Sequence, residues 1–156
     1  MNTYLLVKTI HILSSVLMVG TGFGSAFYLF FTHRIGNVRS IADVSRLVVR
    51  ADWWFTTPTV IIQPLSGVWL AHAAGWPLST SWIALSLSLY ALAGACWLPV
   101  VWLQIQMERM ARAAAATGEA LPDRYWHYAR WWERLGYPAF FSMTIVFGMM
   151  VFKPTM

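Results

Sequence analysis

The chain has 156 residues, of which 58% are hydrophobic and only 11% are charged. A soluble domain of this size needs far more polar surface, so the composition indicates an integral membrane protein. The formal net charge is +5, and nine of the eleven Lys and Arg residues lie in two stretches of the chain. No aromatic and basic pattern of a nucleic-acid-binding element accompanies them, so we expect no nucleic-acid partner.

Four apolar segments account for most of the chain, at residues 4–32, 53–74, 82–105 and 135–152. Each is close to the roughly 20 residues that a helix needs to cross the hydrocarbon core of a bilayer. Residues that favour helix follow the third segment, so we expect that helix to continue to about residue 116. Because backbone groups in lipid must be paired within their own segment, we predict an all-α, integral membrane four-helix bundle that forms one domain over residues 1–156.

Charged residues give the expected orientation of the bundle. Apart from Lys8 and Lys153, they all lie in two stretches, 33–52 and 106–134, which follow the first and third segments. The connection at residues 73–81 carries no charge. Lys and Arg are enriched on the cytoplasmic side of membrane proteins, so we predict that both charged stretches form cytoplasmic loops and that both termini are periplasmic.

One face of the first predicted helix carries small and polar side chains. Counted from His11 at helical spacing, this stripe contains Ser14, Ser15, Met18, Gly22 and Ser25. Small residues in membrane helices mark faces that another helix or a flat ligand approaches closely. The stripe therefore indicates either a packing surface or the wall of a cavity.

The second predicted helix has a polar face and two prolines. The polar face consists of Thr56, Thr59, Gln63 and Ser66. Pro58 and Pro64 cannot donate backbone hydrogen bonds, so we expect free carbonyls and a bend. Gln63 lies near the middle of the membrane, as a packing contact or as a ligand contact. Asp52, at the entrance, is expected either to cap this helix or to relay protons.

The third predicted helix also presents a stripe, formed by Ser86, Tyr90, Gly94 and Trp97. Its Cys96 is the single cysteine of the chain, which excludes an internal disulfide and a multi-cysteine metal site. No CxxC, HExxH, GxSxG or glycine-rich phosphate-binding sequence occurs, so the enzyme classes defined by these motifs have no support.

Ionisable side chains inside membrane helices are costly, and His11 is the one that points to a function. It lies about 10 Å into the first helix, at about 1.5 Å per residue, and belongs to the small-residue stripe. Imidazole is a common axial ligand of haem iron, so His11 is a candidate ligand that Ser14 or Ser15 can orient. The alternative is a histidine that only forms hydrogen bonds. His72 is either a second iron ligand or an interfacial residue without iron.

Several short motifs resemble a known group of membrane proteins. Lys8-Thr9-Ile10-His11 resembles the opening of the J-type bacterial membrane protoporphyrinogen oxidases, and Gly67-Val68-Trp69-Leu70 resembles their second helix. Gln63-Pro64 and Cys96-Trp97-Leu98-Pro99 are similar to a bacterial family of small integral membrane proteins known only as a domain of unknown function. That family is similar both to the J-type oxidases and to the copper-resistance D-like membrane proteins.

The resemblance implies a haem b, held by His11, in a multi-pass protein of the bacterial inner membrane. The expected cofactor-binding residues are His11, Ser14, Ser15, Gln63, Trp69 and His72. One departure concerns the third helix, where the oxidases have a Lys shortly after the opening Trp, whereas Trp82 is followed here by Ile83-Ala84-Leu85-Ser86. The missing cation argues against porphyrinogen oxidation and leaves haem binding unaffected.

We therefore expect a b-type haem protein with a redox role, either electron transfer or oxidation of a porphyrin- or quinone-like substrate. Two alternatives stay open, a cofactor-free membrane subunit or scaffold and a copper-handling protein that uses its methionines. Whether the protein is an enzyme also stays open. The expected partner is the lipid bilayer, and a homodimer and a larger membrane complex are both compatible with the sequence.

Overall fold

The computed structural model describes residues 2–154, and within them every regular element is a helix. The helices are α1 (Thr3–Ile35), α2 (Val38–Ala51), α3 (Thr57–Ala73), α4 (Ser81–Thr117) and α5 (Asp123–Phe152), and a π-helical turn, Asp52–Thr56, joins α2 to α3. The predicted all-α class is confirmed.

Three of the described helices, α1, α4 and α5, are long and apolar enough to cross a membrane. The remaining predicted span, at residues 53–74, corresponds to α3, which has 17 residues and is joined to α2 through the π turn. The structure thus establishes three candidate spans and a further helix. A fourth span and periplasmic termini stay predictions.

The ends of the helices follow from capping residues. The side chain of Asn2 accepts a hydrogen bond from the Tyr4 N–H at the start of α1. α1 ends at Gly36, whose φ of 74° is a left-handed conformation that glycine adopts without strain. Asn37 then caps α2 through the N–H of Ser40. These two adjacent signals turn the chain sharply, so α2 begins directly after α1.

The charged stretch after α1 differs from the sequence-based expectation, because most of it is the helix α2 rather than a loop. Ile41, Ser45 and Val48 recur at helical spacing and are buried, whereas the arginines of this stretch lie on exposed positions. This amphipathic pattern is that of a helix packed on one side. Similarly, α5 begins at Asp123, well before the apolar segment that starts at residue 135.

The main apolar core lies at the end of the molecule that carries the charged stretches. α1 packs along α2 and α3, α4 packs along α5, and α2 packs against α4. Leu29, Ile41, Met107, Tyr125 and Trp132, from four helices, belong to the buried cluster at these contacts. The two helix pairs are therefore joined chiefly at this end.

The π turn accompanies Pro58 at the start of α3. Proline lacks an N–H, and its ring crowds the carbonyl one turn earlier, here that of Trp54. In the π turn the Thr57 N–H bonds instead to the Asp52 carbonyl, which widens the helix just before the proline. The helix therefore continues across Pro58 without breaking.

Candidate functional site

His11 lies at the contact between α1 and α3, and hydrogen bonds engage both of its ring nitrogens. Nδ1 is 2.8 Å from Ser66 Oγ, and Nε2 is 3.2 Å from the amide nitrogen of Gln63. The imidazole is half-buried. Gln63 and Ser66, which share one face of α3, therefore hold the ring from two sides.

The orientation of the Gln63 amide determines which tautomer of His11 fits these contacts. With the amide nitrogen facing Nε2, that nitrogen donates, so the matching tautomer has its lone pair on Nε2 and its proton on Nδ1. In this tautomer Nδ1–H donates to Ser66 Oγ, and the Ser66 hydroxyl donates to the Ile62 carbonyl at 2.6 Å. The Ser14 hydroxyl lies between two acceptors, Gln63 Oε1 and the His11 carbonyl at 2.9 Å, and its contact with Oε1 matches this orientation of the amide.

Gly67 provides the space that the His11 ring occupies. A Cβ atom on Gly67 would lie 3.1 Å from His11 Cε1, closer than an ordinary carbon–carbon contact. The imidazole therefore packs directly against the backbone of α3, and the close approach favours a residue without a side chain.

Three further residues of the expected cofactor site lie outside this network. Ser15 is buried and donates to the Ile12 carbonyl of its own helix at 2.7 Å. Trp69 is 40% exposed, and His72 is exposed in the last turn of α3. Of the described hydrogen bonds around His11, none involves these three side chains.

The other histidines lie towards the charged end. His33 Nε2 is 2.8 Å from the Tyr125 hydroxyl, and its ring contacts those of Tyr125 and Trp126 edge to face. His127 is exposed on α5. Across residues 2–154, no group of three or more His, Cys, Asp or Glu side chains is arranged to hold a metal ion.

A large cavity of about 440 Å³ lies between α1, α3, α4 and α5. Its walls are overwhelmingly apolar, and its volume falls in the range of small-molecule sites in proteins. Phe23 and Phe140 stack at 5.5 Å between ring centroids, so α1 and α5 meet through side chains beside the cavity rather than through close backbone packing.

The small-residue stripe of α1 has two roles along its length. Met18, Gly22 and Ser25 line the cavity, whereas His11 and Ser14 hydrogen-bond to α3. On α4, the stripe residues that line the same cavity are Tyr90, Gly94 and Trp97. Both readings of the α1 stripe are therefore confirmed, packing for its first part and a cavity wall for its second.

Asp52 is a buried carboxylate at the end of this cavity, with only 5% of its surface exposed. The Thr56 hydroxyl donates to Oδ1 at 2.8 Å, and the Gln104 amide donates to Oδ2 at 2.6 Å when its nitrogen is oriented towards the carboxylate. The Gln104 carbonyl in turn accepts from the indole N–H of Trp132 at 3.3 Å. These contacts connect the π turn to α4 and α5.

The setting of Asp52 corrects one expectation. The cap prediction is wrong, because α2 continues through the π turn and leaves no helix N-terminus at Asp52. Asp52 lies outside the three candidate spans. Burial raises the pKa of its carboxyl, while the hydrogen bonds from Thr56 and Gln104 oppose that rise. Gln104 and Trp132 were not among the predicted site residues. The only sequence signal for them was Gln104, a polar residue within an apolar run.

Pro64 leaves the Val60 carbonyl without its helical donor, and Tyr90 replaces that donor. The Tyr90 hydroxyl donates to the Val60 carbonyl at 2.6 Å. The carbonyl that was expected to lack a helical donor is thus confirmed, and its hydrogen bond with Tyr90 connects α3 to α4 across the cavity.

Comparison with known proteins gives one match. The model of a family described as "Predicted integral membrane protein (DUF2269)" matches residues 5–154, nearly the whole chain. No curated protein and no solved structure matches significantly.

Proposed function

The chain belongs to this family of integral membrane proteins, and within that setting we propose that it is a b-type haem protein with a redox role. The role is electron transfer or oxidation of a porphyrin- or quinone-like substrate. In this proposal the protein is a multi-pass component of the bacterial inner membrane, both termini are periplasmic, and His11 is the axial iron ligand.

The observation that carries the proposal is the orientation of His11. Ligating histidines commonly donate their second ring N–H to a neighbouring oxygen, which fixes the tautomer and the ring plane. His11 has this arrangement, because Nδ1–H donates to Ser66 and the lone pair remains on Nε2. This tautomer is neutral, as a metal ligand must be.

The donor set fits one protein ligand rather than two. Gln63 is the only side chain described at Nε2, and its contact of 3.2 Å is long enough to be exchanged for a stronger one. His72 is exposed in the last turn of α3. His11 would therefore be the one side chain of this network to hold the iron, and the Gln63 amide nitrogen would leave Nε2 when haem binds.

Haem, when bound, would supply one-electron chemistry, and the residues of the chain prepare the site for it. Ser66 holds the imidazole proton on Nδ1. The Ser14 hydroxyl contacts the amide oxygen of Gln63, and the amide nitrogen of Gln63 then faces the lone pair on His11 Nε2.

The optical spectrum of the purified protein, after expression with added haem precursor, tests the proposal. The parent protein should show a Soret band, and His11→Ala should lose most of it while remaining in the membrane. His33→Ala and His127→Ala are matched controls that should keep the band. A Soret band unchanged in His11→Ala would exclude His11 as the ligand, and a change of coordination in His72→Ala would make His72 a second ligand.

A second candidate function is a cofactor-free membrane subunit or scaffold. It is favoured by the fact that both nitrogens of His11 are already hydrogen-bonded within the protein. Buried polar groups in membranes find such partners for packing alone. The absence of a Soret band after haem supplementation, together with a lower thermal stability of His11→Ala, would support this function. Metal analysis of the same sample tests the copper alternative.

A further inference from the structure

The cavity between α1, α3, α4 and α5 combines aromatic walls with acidic groups. Phe, Trp and Tyr rings from α1, α4 and α5 contribute much of its lining. Its ionisable lining groups are the carboxylates of Asp52 and Glu133 and the phenols of Tyr90 and Tyr137. No Lys, Arg or His is among the described lining residues. The described lining therefore carries no cationic side chain, although the Arg34 guanidinium lies 3.6 Å from the ring centroid of the lining residue Phe30.

Asp52 has hydrogen bonds but no cationic partner. The ion pairs described within residues 2–154 join Arg46 to Asp43 and Arg112 to Glu108, both near the surface. A carboxylate as buried as Asp52 normally pairs with a cation or becomes neutral. Thr56 and Gln104 satisfy its oxygens, and a positive charge in the cavity would complete the electrostatic balance.

A molecule dissolved in the membrane can reach this cavity. Phe23 and Phe140 belong to candidate spans, and their stacked rings line the cavity and are 56% and 41% exposed. Rotation of exposed side chains is fast and needs no backbone change. The two rings therefore form the boundary between the cavity and the surrounding hydrocarbon.

We propose that this cavity binds a lipophilic organic cation, with the positive charge towards Asp52 and the apolar surface against the aromatic rings. Aromatic faces attract cations, most strongly where water is excluded. A fatty acid, an anionic lipid or the propionates of a porphyrin would bring negative charge next to Asp52 and Glu133, which is unfavourable. The site is separate from His11 and does not depend on haem.

Two probes of matched size and opposite charge test the proposal. Tetraphenylphosphonium and tetraphenylborate have the same shape, so a difference in binding reports charge. Quenching of tryptophan fluorescence in the detergent-solubilised full chain, with detergent blanks, should show saturable binding of the cation and none of the anion. Equal binding of both probes would overturn the proposal and leave a cavity that accepts apolar molecules regardless of charge.

Variants of the cavity sharpen the test. Asp52→Asn removes the charge with almost no change of shape. It should weaken cation binding on the order of 30-fold, the scale for removing one partner of a desolvated charge pair. Gly22→Leu fills a cavity wall where the structure leaves open space and should also weaken binding, even if Asp52→Asn fails to fold. Gly20→Leu, outside the cavity lining, is its matched control and should bind normally.

The outcome also separates this site from the haem proposal. His11→Ala should lose the Soret band yet bind tetraphenylphosphonium with unchanged affinity. Loss of cation binding in His11→Ala would show that the two are one site and would overturn the inference. Unchanged affinity in both Asp52→Asn and Gly22→Leu would overturn it as well.

Discussion

The neighbours of His11 each determine a different property of its ring. The Gln63 amide nitrogen determines which ring nitrogen carries the lone pair, Ser66 contacts the other ring nitrogen, and Gly67 leaves room for the ring itself. Because the three residues lie on one helix, a single helix–helix contact sets protonation, accessibility and position together. Substitutions of the three residues should therefore have separable effects.

Gly67→Ala should lower thermal stability relative to Gly20→Ala. Replacing a helical glycine by alanine stabilises by about 0.5–1 kcal/mol where space is available, and nothing lies within 4 Å of a Cβ on Gly20. A Cβ on Gly67 meets His11 Cε1 at 3.1 Å, so the ring or the helix must move. Thermal unfolding of the two variants in one detergent measures the difference. An equal gain in both would contradict the close packing of His11 on α3.

Gln63→Leu and Ser66→Ala should change haem occupancy in opposite directions. Leucine removes the amide at Nε2, so haem should bind at least as well as in the parent protein. Ser66→Ala removes the acceptor for Nδ1–H, a change that commonly lowers metal affinity by about 10-fold or more. Haem titration of the purified variants gives both values. A loss of binding confined to Gln63→Leu would instead make Gln63 a cofactor contact.

At this scale the sequence predicts faces but not the register between helices. Helical spacing correctly places Ser14 and Met18 on the stripe of His11, and Gln63 and Ser66 on one face of the next helix. Which of these residues meet depends on how far α1 and α3 slide past each other. The helix face on which His11 lies was therefore predictable, but its two hydrogen-bond partners were not.

At the scale of elements, the prolines of α3 create interactions rather than only removing them. Pro64 leaves the Val60 carbonyl without a helical donor, and the Tyr90 hydroxyl of α4 donates a hydrogen bond to it instead. Pro58 follows a π turn that contains Asp52 and Thr56. The π turn and the free Val60 carbonyl both face the cavity. π turns and free backbone carbonyls commonly occur at functional sites in helices.

Tyr90→Phe should destabilise the protein less when Pro64 is also replaced by alanine. The phenylalanine leaves the Val60 carbonyl unpaired, at a cost of about 0.6 kcal/mol, the average for hydrogen bonds between membrane helices. Pro64→Ala restores a helical N–H to that carbonyl. A double-mutant cycle on unfolding free energies should therefore show coupling between the two positions. Additive effects would contradict a shared carbonyl.

The helix α2, which was predicted as a loop, shows what a hydropathy profile cannot detect. Charge density in residues 33–52 indicated a loop, yet Ile41 and Val48 follow the spacing of a helix with one buried side. A hydropathy window long enough to detect a membrane span averages over the buried and exposed residues of such a helix, so the pattern is lost. The burial of α2 against α4 is a tertiary contact that composition does not reveal.

For the whole molecule, the packed core and the cavity adjoin each other. The buried apolar cluster joins α1, α2, α4 and α5 at the charged end, and Val100 and Trp132 of that cluster also line the cavity between α1, α3, α4 and α5. A membrane protein tolerates an open apolar surface because lipid tails are as apolar as the side chains that line it. The packed cluster can therefore fix the helices around the cavity.

The last prediction concerns the orientation of this asymmetric bundle in the membrane. Reporter fusions after Gly36 and after Gly118, which end α1 and α4, should be cytoplasmic, because the basic residues cluster beside them. Fusions after Gly75 and at Met156 should be periplasmic, which requires α3 to complete a fourth span despite its 17 residues. The fusion at Gly75 is decisive. A cytoplasmic signal there would leave only α1, α4 and α5 as spans, and His11 would then pair with a helix outside the bilayer, where a haem site buried in the membrane could not form.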